Sequence, residues 1–292
     1  MVGVTADGIT EAFARVAENA PNARARELFV SLAGHLHAWL KETKPTHDEW
    51  RAGIEALTRA AELTNGGRNE FVLFSDLFGI TSLVDLLNTP EGASSSSPLG
   101  PFHQRGAPPL ANGGDMWKGQ QGEVLVIEGR VVDAASGEGV SGAILDLWQN
   151  AGNGLYSVQD PEQPDGNYHG LLTCAEDGSF CLTTTLFLPY TVPYDGPGGD
   201  MLRALGRDAW RAAHLHVIAE APGYRALVTE LFVEGDEWLE KDAVFGVRPD
   251  LVLPVEQCRK GDAVADALEA KDSLPETFLR IRPTIRMATG GN

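Results

Sequence analysis

A chain of 292 residues, 43% of them apolar, is long enough to bury a full hydrophobic core. Its 41 acidic residues against 23 basic ones give a net charge of −18, which opposes phosphate backbones and anionic bilayers, so neither nucleic acid nor membrane is an expected partner. The start MVGVTADGITEAF lacks a basic region followed by an apolar run, and no stretch reaches about 18 apolar residues; a cytoplasmic protein is predicted.

From about residue 8 to residue 88 the apolar residues recur at helical spacing. Leu28, Leu32, Leu36 and Leu40 follow every fourth position, with Phe29 and Trp39 beside them, which predicts a helical N-terminal region. His35 and His37 fall in that helix, where residues two apart point roughly 200° apart and cannot share a metal. They read as ordinary helix residues. Residues 89–122, rich in Pro, Gly and Ser, suit no helix or sheet interior and read as a long connecting segment. Within it, Ser94 to Ser97 are expected to be flexible and PLGPF to be packed.

From Glu123 onward, short alternating or apolar runs separated by turn signals predict a β-sandwich. The expected fold class is therefore mainly β with an α N-terminal region, divided into residues 1–122 and 123–292. LLTCAEDGSFCLTT reads as a hairpin. If Asp177-Gly178 forms its two-residue turn, Cys174 and Cys181 face each other across it. With Cys258 the cysteines number three, without metal-finger spacing, and packed free thiols are the expectation in a reducing compartment. HLHVIAE and LVTELFVEGD read as further strands, and FLRIRPTIRMA as the last one.

His214 and His216 alternate in a strand, so both imidazoles share a face and can hold one metal. Upstream, Tyr156 and Tyr190 lie in segments dense with Gly or Pro, with Tyr168 and Tyr194 as their respective alternatives. A site of two imidazoles and two phenolates suits a hard trivalent ion such as Fe(III), whereas zinc more commonly draws Cys, His or carboxylate. Tyrosine has a pKa of about 10 in water, so its use as a ligand implies an ion strong enough to displace that proton.

These residues, with SPLGPF followed by GAP, AILDLWQN, GLYSVQD, YTVPYDGPGGDML, WRAAHLH, APGY and DAVFGVRPDL, resemble the intradiol ring-cleaving dioxygenases over nearly the whole chain. The branch is that of the catechol, chlorocatechol and hydroxyquinol 1,2-dioxygenases. The resemblance implies that Tyr156, Tyr190, His214 and His216 hold one Fe(III) per subunit, with Tyr190 leaving as the substrate binds. It further implies that both atoms of O2 enter a muconate, and that Arg211 is a catalytic residue stabilising negative charge on the activated ring. Residues 1–122 would form the helical dimerisation region and linker of a homodimer, around an apolar channel that can hold lipid. Residues 123–292 would be the β-sandwich catalytic domain with the iron site.

Substrate choice must come from the pocket wall. Leu73, Asp76, Gly100, Pro101, Phe102 and Val244 fit the pattern of the hydroxyquinol branch, with Arg211 also contacting substrate. Asp76 offers an acceptor for a third ring hydroxyl, where an apolar residue would suit plain or chlorinated catechol. Hydroxyquinol is thus the expected small aromatic substrate, catechol or chlorocatechol the alternative. Glu230 stands where the family more often carries Gln or His; a carboxylate there either pairs with Arg211 and modulates the site or points away. Two other classes remain: a non-catalytic β-sandwich binding module, which would need neither HxH nor phenolates, and a zinc hydrolase built on the histidines.

Overall fold

The computed structural model describes residues 4–65 and 67–290. The chain divides after Thr58 into two compact units. In the first, α1 (Ile9–Val16) packs against α2 (Ala23–Thr43), with Thr10 Oγ1 3.1 Å from His37 Nδ1 and the Phe13 ring edge-on to His37. Asn22 caps α2, its side chain accepting from the Ala25 N–H. Helix α3 (His47–Leu63) begins in this unit. His35 and His37 take no part in a metal cluster among the described residues.

The second unit continues with α4 (Glu70–Leu77), capped by Asn69, and α5 (Ile80–Asn88). Its strands are β1 (Pro109–Leu110), β2 (Gly114–Asp115), β3 (Val124–Asp133), β4 (Ile144–Trp148), β5 (His169–Thr173), β6 (Ser179–Thr185) and β7 (Tyr190–Thr191). After α6 (Pro197–Ala204) come β8 (Trp210–Arg211), β9 (His214–Glu220), β10 (Leu227–Val233), β11 (Val252–Leu253), β12 (Glu256–Arg259), β13 (Thr277–Ile281) and β14 (Thr284–Met287). One six-stranded sheet runs β1-β5-β4-β9-β10-β11, a second runs β12-β13-β3-β6-β2 with β14 also on β3, and β7 pairs with β8 in a two-stranded sheet. The helical N-terminal region and β-rich remainder are those predicted.

Alternation decides which side chains fill the sandwich. Leu145 and Leu147 of β4, Leu215 and Val217 of β9, and Leu231 and Val233 of β10 share one core with Leu125 and Ile127 of β3 and Leu182 of β6. The intervening residues Asp146, Trp148, His214, His216 and Glu230 must then face outward from the first sheet. That outer face carries the candidate site.

Four sequence expectations are corrected. The run LLTCAEDGSFCLTT is no hairpin: β5 pairs with β4 and β1 in one sheet, β6 with β3 and β2 in the other. Its turn bridges the sheets, with Val131 N–H donating to Gly178 O, and a Cβ on Gly139 would lie 1.8 Å from Asp177 O, so only glycine lets the two loops touch. Cys174 lies just past the end of β5 and Cys181 within β6 of the other sheet, and with Cys258 they are free thiols. Burial pushes the Cys174 thiol up to about 12, which makes it inert.

Ser94 and Ser97 are buried rather than flexible: the Ser94 N–H donates to Arg286 O, and Ser97 Oγ donates to Gly246 O. The linker also supplies β1 and β2, each two residues long and at a sheet edge, where Pro109 costs no ladder hydrogen bond. The tail forms two strands, because the break at Arg282-Pro283 separates β13 from β14; both run parallel to β3.

Candidate active site

The site starts from a cross-strand row. In antiparallel register, His169 of β5 stands opposite Trp148 of β4, Trp148 opposite His216 of β9, and His216 opposite Glu230 of β10. Directly opposed residues share a face, so the register alone lines up these four side chains. The Trp148 indole stacks on the His216 imidazole, centroids 4.7 Å apart and planes within 4°. Over the other side of His216 runs the linker: Gly100 has φ of 72°, and a Cβ there would lie 3.1 Å from His216 Cε1. A residue with a side chain would be strained in that conformation and would push the imidazole.

His214 and His216 are fully buried, with their Nε2 atoms 3.1 Å apart. His214 Nδ1 lies 2.6 Å from Ala212 O, a contact that requires the proton on Nδ1 and leaves Nε2 a lone pair. His216 Nδ1 lies 3.3 Å from Glu230 Oε1 without a hydrogen bond to it. Burial, reinforced for His214 by the Arg211 charge and for His216 by His214, holds both imidazoles neutral, well below the ordinary histidine pKa. The two Nε2 atoms thus converge on one point at hydrogen-bond distance.

Tyr190 brings its hydroxyl within 3.5 Å of His214 Nε2, and Tyr156 packs edge-on to Tyr190 with ring centroids 5.4 Å apart. The Tyr156 hydroxyl is buried and has no hydrogen-bond partner among the described residues. Burial pushes both phenols up, Tyr156 farther because the charge of Tyr190 adds to burial, whereas Arg211 opposes the shift at Tyr190. A buried orphan hydroxyl costs about 1–3 kcal/mol. A hard trivalent cation among these four groups would remove that penalty, displacing the phenolic protons and binding the converging imidazole nitrogens, so the donor set fits Fe(III). Of the alternative tyrosines, Tyr168 is in the inter-sheet core and Tyr194 is exposed.

Arg211 is buried and forked onto Glu230, with Nη1 to Oε1 at 2.7 Å and Nη2 to Oε2 at 2.8 Å, while its Nε donates to Asp242 Oδ1 at 3.2 Å. Burial alone would lower its pKa, but Asp242 and Glu230 outweigh it and hold the guanidinium charged. Its Nη1 is also 3.1 Å from His214 Nε2, which places a fixed positive charge beside the ligand atoms. Glu230 therefore pairs with Arg211. Asp242 was not anticipated; its only signal was its place in DAVFGVRPDL.

The pocket residues divide into two groups. Phe102 stacks on Tyr156 at 4.7 Å and, with Gly100, lies against the candidate ligands. Leu73 and Val244 share a small apolar cluster with α6, where Gly198 admits the Leu73 side chain. Asp76, one turn beyond Leu73, is buried with Oδ1 unpartnered. Burial pushes its carboxyl up, opposed first by a hydrogen bond with Thr81 and then by the Arg211 charge. Pro101 is exposed between Gly100 and Phe102.

A family model described as Dioxygenase matches residues 100–281, and one described as Catechol dioxygenase N terminus matches residues 22–95. The chain belongs to the intradiol ring-cleavage dioxygenase family. Among its relatives is the 6-chlorohydroxyquinol 1,2-dioxygenase of Cupriavidus pinatubonensis, 42% identical over 82% of this chain and 87% of that one. A hydroxyquinol 1,2-dioxygenase of Rhizobium sp. is 38% identical, over 85% and 83%. The crystal structure of hydroxyquinol 1,2-dioxygenase from Pseudomonas putida DLL-E4 superposes with a TM-score of 0.89 at 38% identity, covering 98% of this chain and 99% of that one. This intradiol dioxygenase is thus an enzyme of a family that uses non-haem iron, inserting both atoms of O2 into an aromatic ring. No helix among its described residues is long and apolar enough to cross a membrane.

Proposed function

We propose that this dioxygenase cleaves hydroxyquinol, 1,2,4-trihydroxybenzene, to 3-hydroxy-cis,cis-muconate or its keto tautomer maleylacetate, in the breakdown of aromatic compounds. One Fe(III) per subunit is held by Tyr156, Tyr190, His214 and His216. The observation that carries the substrate assignment is Asp76: a buried carboxyl oxygen without a partner, one turn from Leu73 on α4, is what a third ring hydroxyl would satisfy. The 6-chlorohydroxyquinol and hydroxyquinol dioxygenases among its relatives, at 42% and 38% identity, agree with it.

Bound Fe(III) supplies a Lewis acid that lowers the pKa of the substrate hydroxyls and activates the ring toward O2. The rest falls to the chain. Tyr190, nearer His214 than Tyr156 is to any partner, accepts one substrate proton on its phenolate oxygen as it gives way. Arg211, immobilised by Glu230 and Asp242, meets negative charge developing on the ring with no reorganisation. Glu230 moderates that field. Phe102 and Trp148 pack over Tyr156 and His216 and keep water from the ligands.

The purified iron-loaded protein is expected to show a broad visible charge-transfer band that shifts on anaerobic addition of hydroxyquinol. Its kcat/KM should favour hydroxyquinol over catechol, and Asp76→Leu should lower that ratio by roughly 10–100-fold, the worth of one buried hydrogen bond. Equal or better kcat/KM on catechol in the parent enzyme would sink the substrate assignment. A colourless iron-loaded protein would sink the ligand set.

In the same reading, residues 1–122 serve dimerisation and linkage and 123–292 catalysis, the first also lending Leu73, Asp76 and Gly100–Phe102 to the pocket. The support is α2, whose Leu28, Leu32 and Leu36 recur every turn and stay about half exposed, an apolar column suited to a second copy of the chain, with lipid filling any remaining gap. Light scattering in native buffer should report twice the 31.3 kDa chain mass, and a 31.3 kDa particle would refute the homodimer.

A further inference from the structure

A second group of ligand-type side chains lies on the same outer sheet face. His169 Nε2 is 2.6 Å from Asp146 Oδ1, and His103 Nε2 is 3.0 Å from Asp146 Oδ2. Two imidazoles thus converge on separate oxygens of one carboxylate, and one donor atom from each residue lies within 4.8 Å of the other two. We propose that His103, Asp146 and His169 form a second metal site, for a divalent transition ion of the zinc class.

Four features support it. The donors are two nitrogens and one oxygen, a borderline set that suits zinc and its neighbours and leaves a fourth position for water. The three residues sit on rigid supports: Asp146 and His169 on paired strands β4 and β5, and His103 against the Trp148 indole, ring centroids 4.6 Å apart. His103 and Asp146 keep 18% of their side-chain surface exposed, so an ion and its water can enter. A protein of net charge −18 also concentrates cations near its surface.

The site has a route to the chemistry. Trp148 touches His103 on one contact and stacks on His216 with another, so an ion that pulls the His103 ring toward Asp146 and His169 shifts the indole against an iron-site imidazole. The cluster itself does not depend on how the iron site is read, since it shares no residue with it.

The test is a Zn2+ titration of the protein already loaded with one equivalent of iron, followed by calorimetry and by equilibrium dialysis with elemental analysis. One Zn2+ per chain beyond the iron, with iron content unchanged, is the expected result. Asp146→Asn and His169→Gln should each weaken that binding by more than about 100-fold, exceeding the ~10–100-fold lost with an outer partner of a metal ligand. His103→Gln, on the linker and least embedded, serves if either strand variant fails to fold. Co2+ gives an independent signature, visible bands of a low-coordinate ion that vanish in the same variants. Zinc uptake that only displaces iron, or that is equal in the parent and the three variants, would overturn the site and show the cluster to be a hydrogen-bonded strut.

Discussion

Arg211→Met is expected to cost about 3–5 kcal/mol of folding stability and to lower kcat by roughly two to three orders of magnitude. The stability loss follows from the carboxylates left behind. Glu230 and Asp242 are both buried and both rely on this one guanidinium, so its removal strands two negative charges side by side in a dry interior. The kinetic loss has a separate origin, since Nη1 stands 3.1 Å from His214 Nε2 and, in the proposed mechanism, meets the charge that develops on the ring. Urea denaturation and steady-state kinetics of Arg211→Met, Glu230→Gln and the double variant separate the two. The double variant should regain part of the stability and none of the kcat. Recovery of both together would mean that Arg211 acts only as a structural cation. Lysine is expected to be a poor substitute, because its point charge cannot fork onto Glu230 while also reaching Asp242.

Tyr156→Phe should move stability and activity in opposite directions. The Tyr156 hydroxyl is sealed inside the protein with nothing to bond to, so deleting it relieves a desolvation penalty of about 1–3 kcal/mol and raises the melting temperature of the metal-free protein. The iron-loaded enzyme should respond in the reverse sense, losing iron on dialysis and turnover with it. Tyr190→Phe is expected to retain iron with its visible band shifted, as befits a ligand that gives way to substrate. A metal-free Tyr156→Phe protein less stable than its parent would show that the hydroxyl has a structural partner and would remove the strain that metal binding is held to relieve.

Much of this was legible in the residue order. Alternation through HLHVIAE places both histidines on one face, and the same alternation through AILDLW puts Asp146 beside Trp148. The first was read and the second was not, although a charged residue in an apolar strand was the available signal. His103 and His169 carried no local mark, because their meeting at Asp146 depends on the linker crossing β4 and on the β4–β5 register. The false hairpin has the same origin: alternation and turn residues identify two strands and a reversal, but not the partner each strand will choose. The four serines looked flexible because polar composition was read without the buried backbone and carbonyl acceptors that await them. Proline at 283 was in plain view, and its inability to extend a ladder should have split the last strand.

The row formed by His169, Trp148, His216 and Glu230 spans four neighbouring strands, and it exists only if three separate pairings each fall in the correct frame. A slip of one residue between β4 and β9 would swing Trp148 or His216 through the sheet into the sandwich interior and send a leucine out in its place. The chain therefore cannot acquire a working centre piecemeal. Competence for chemistry arrives with global registry, which makes catalysis in this enzyme an all-or-none certificate that its least local contacts have formed.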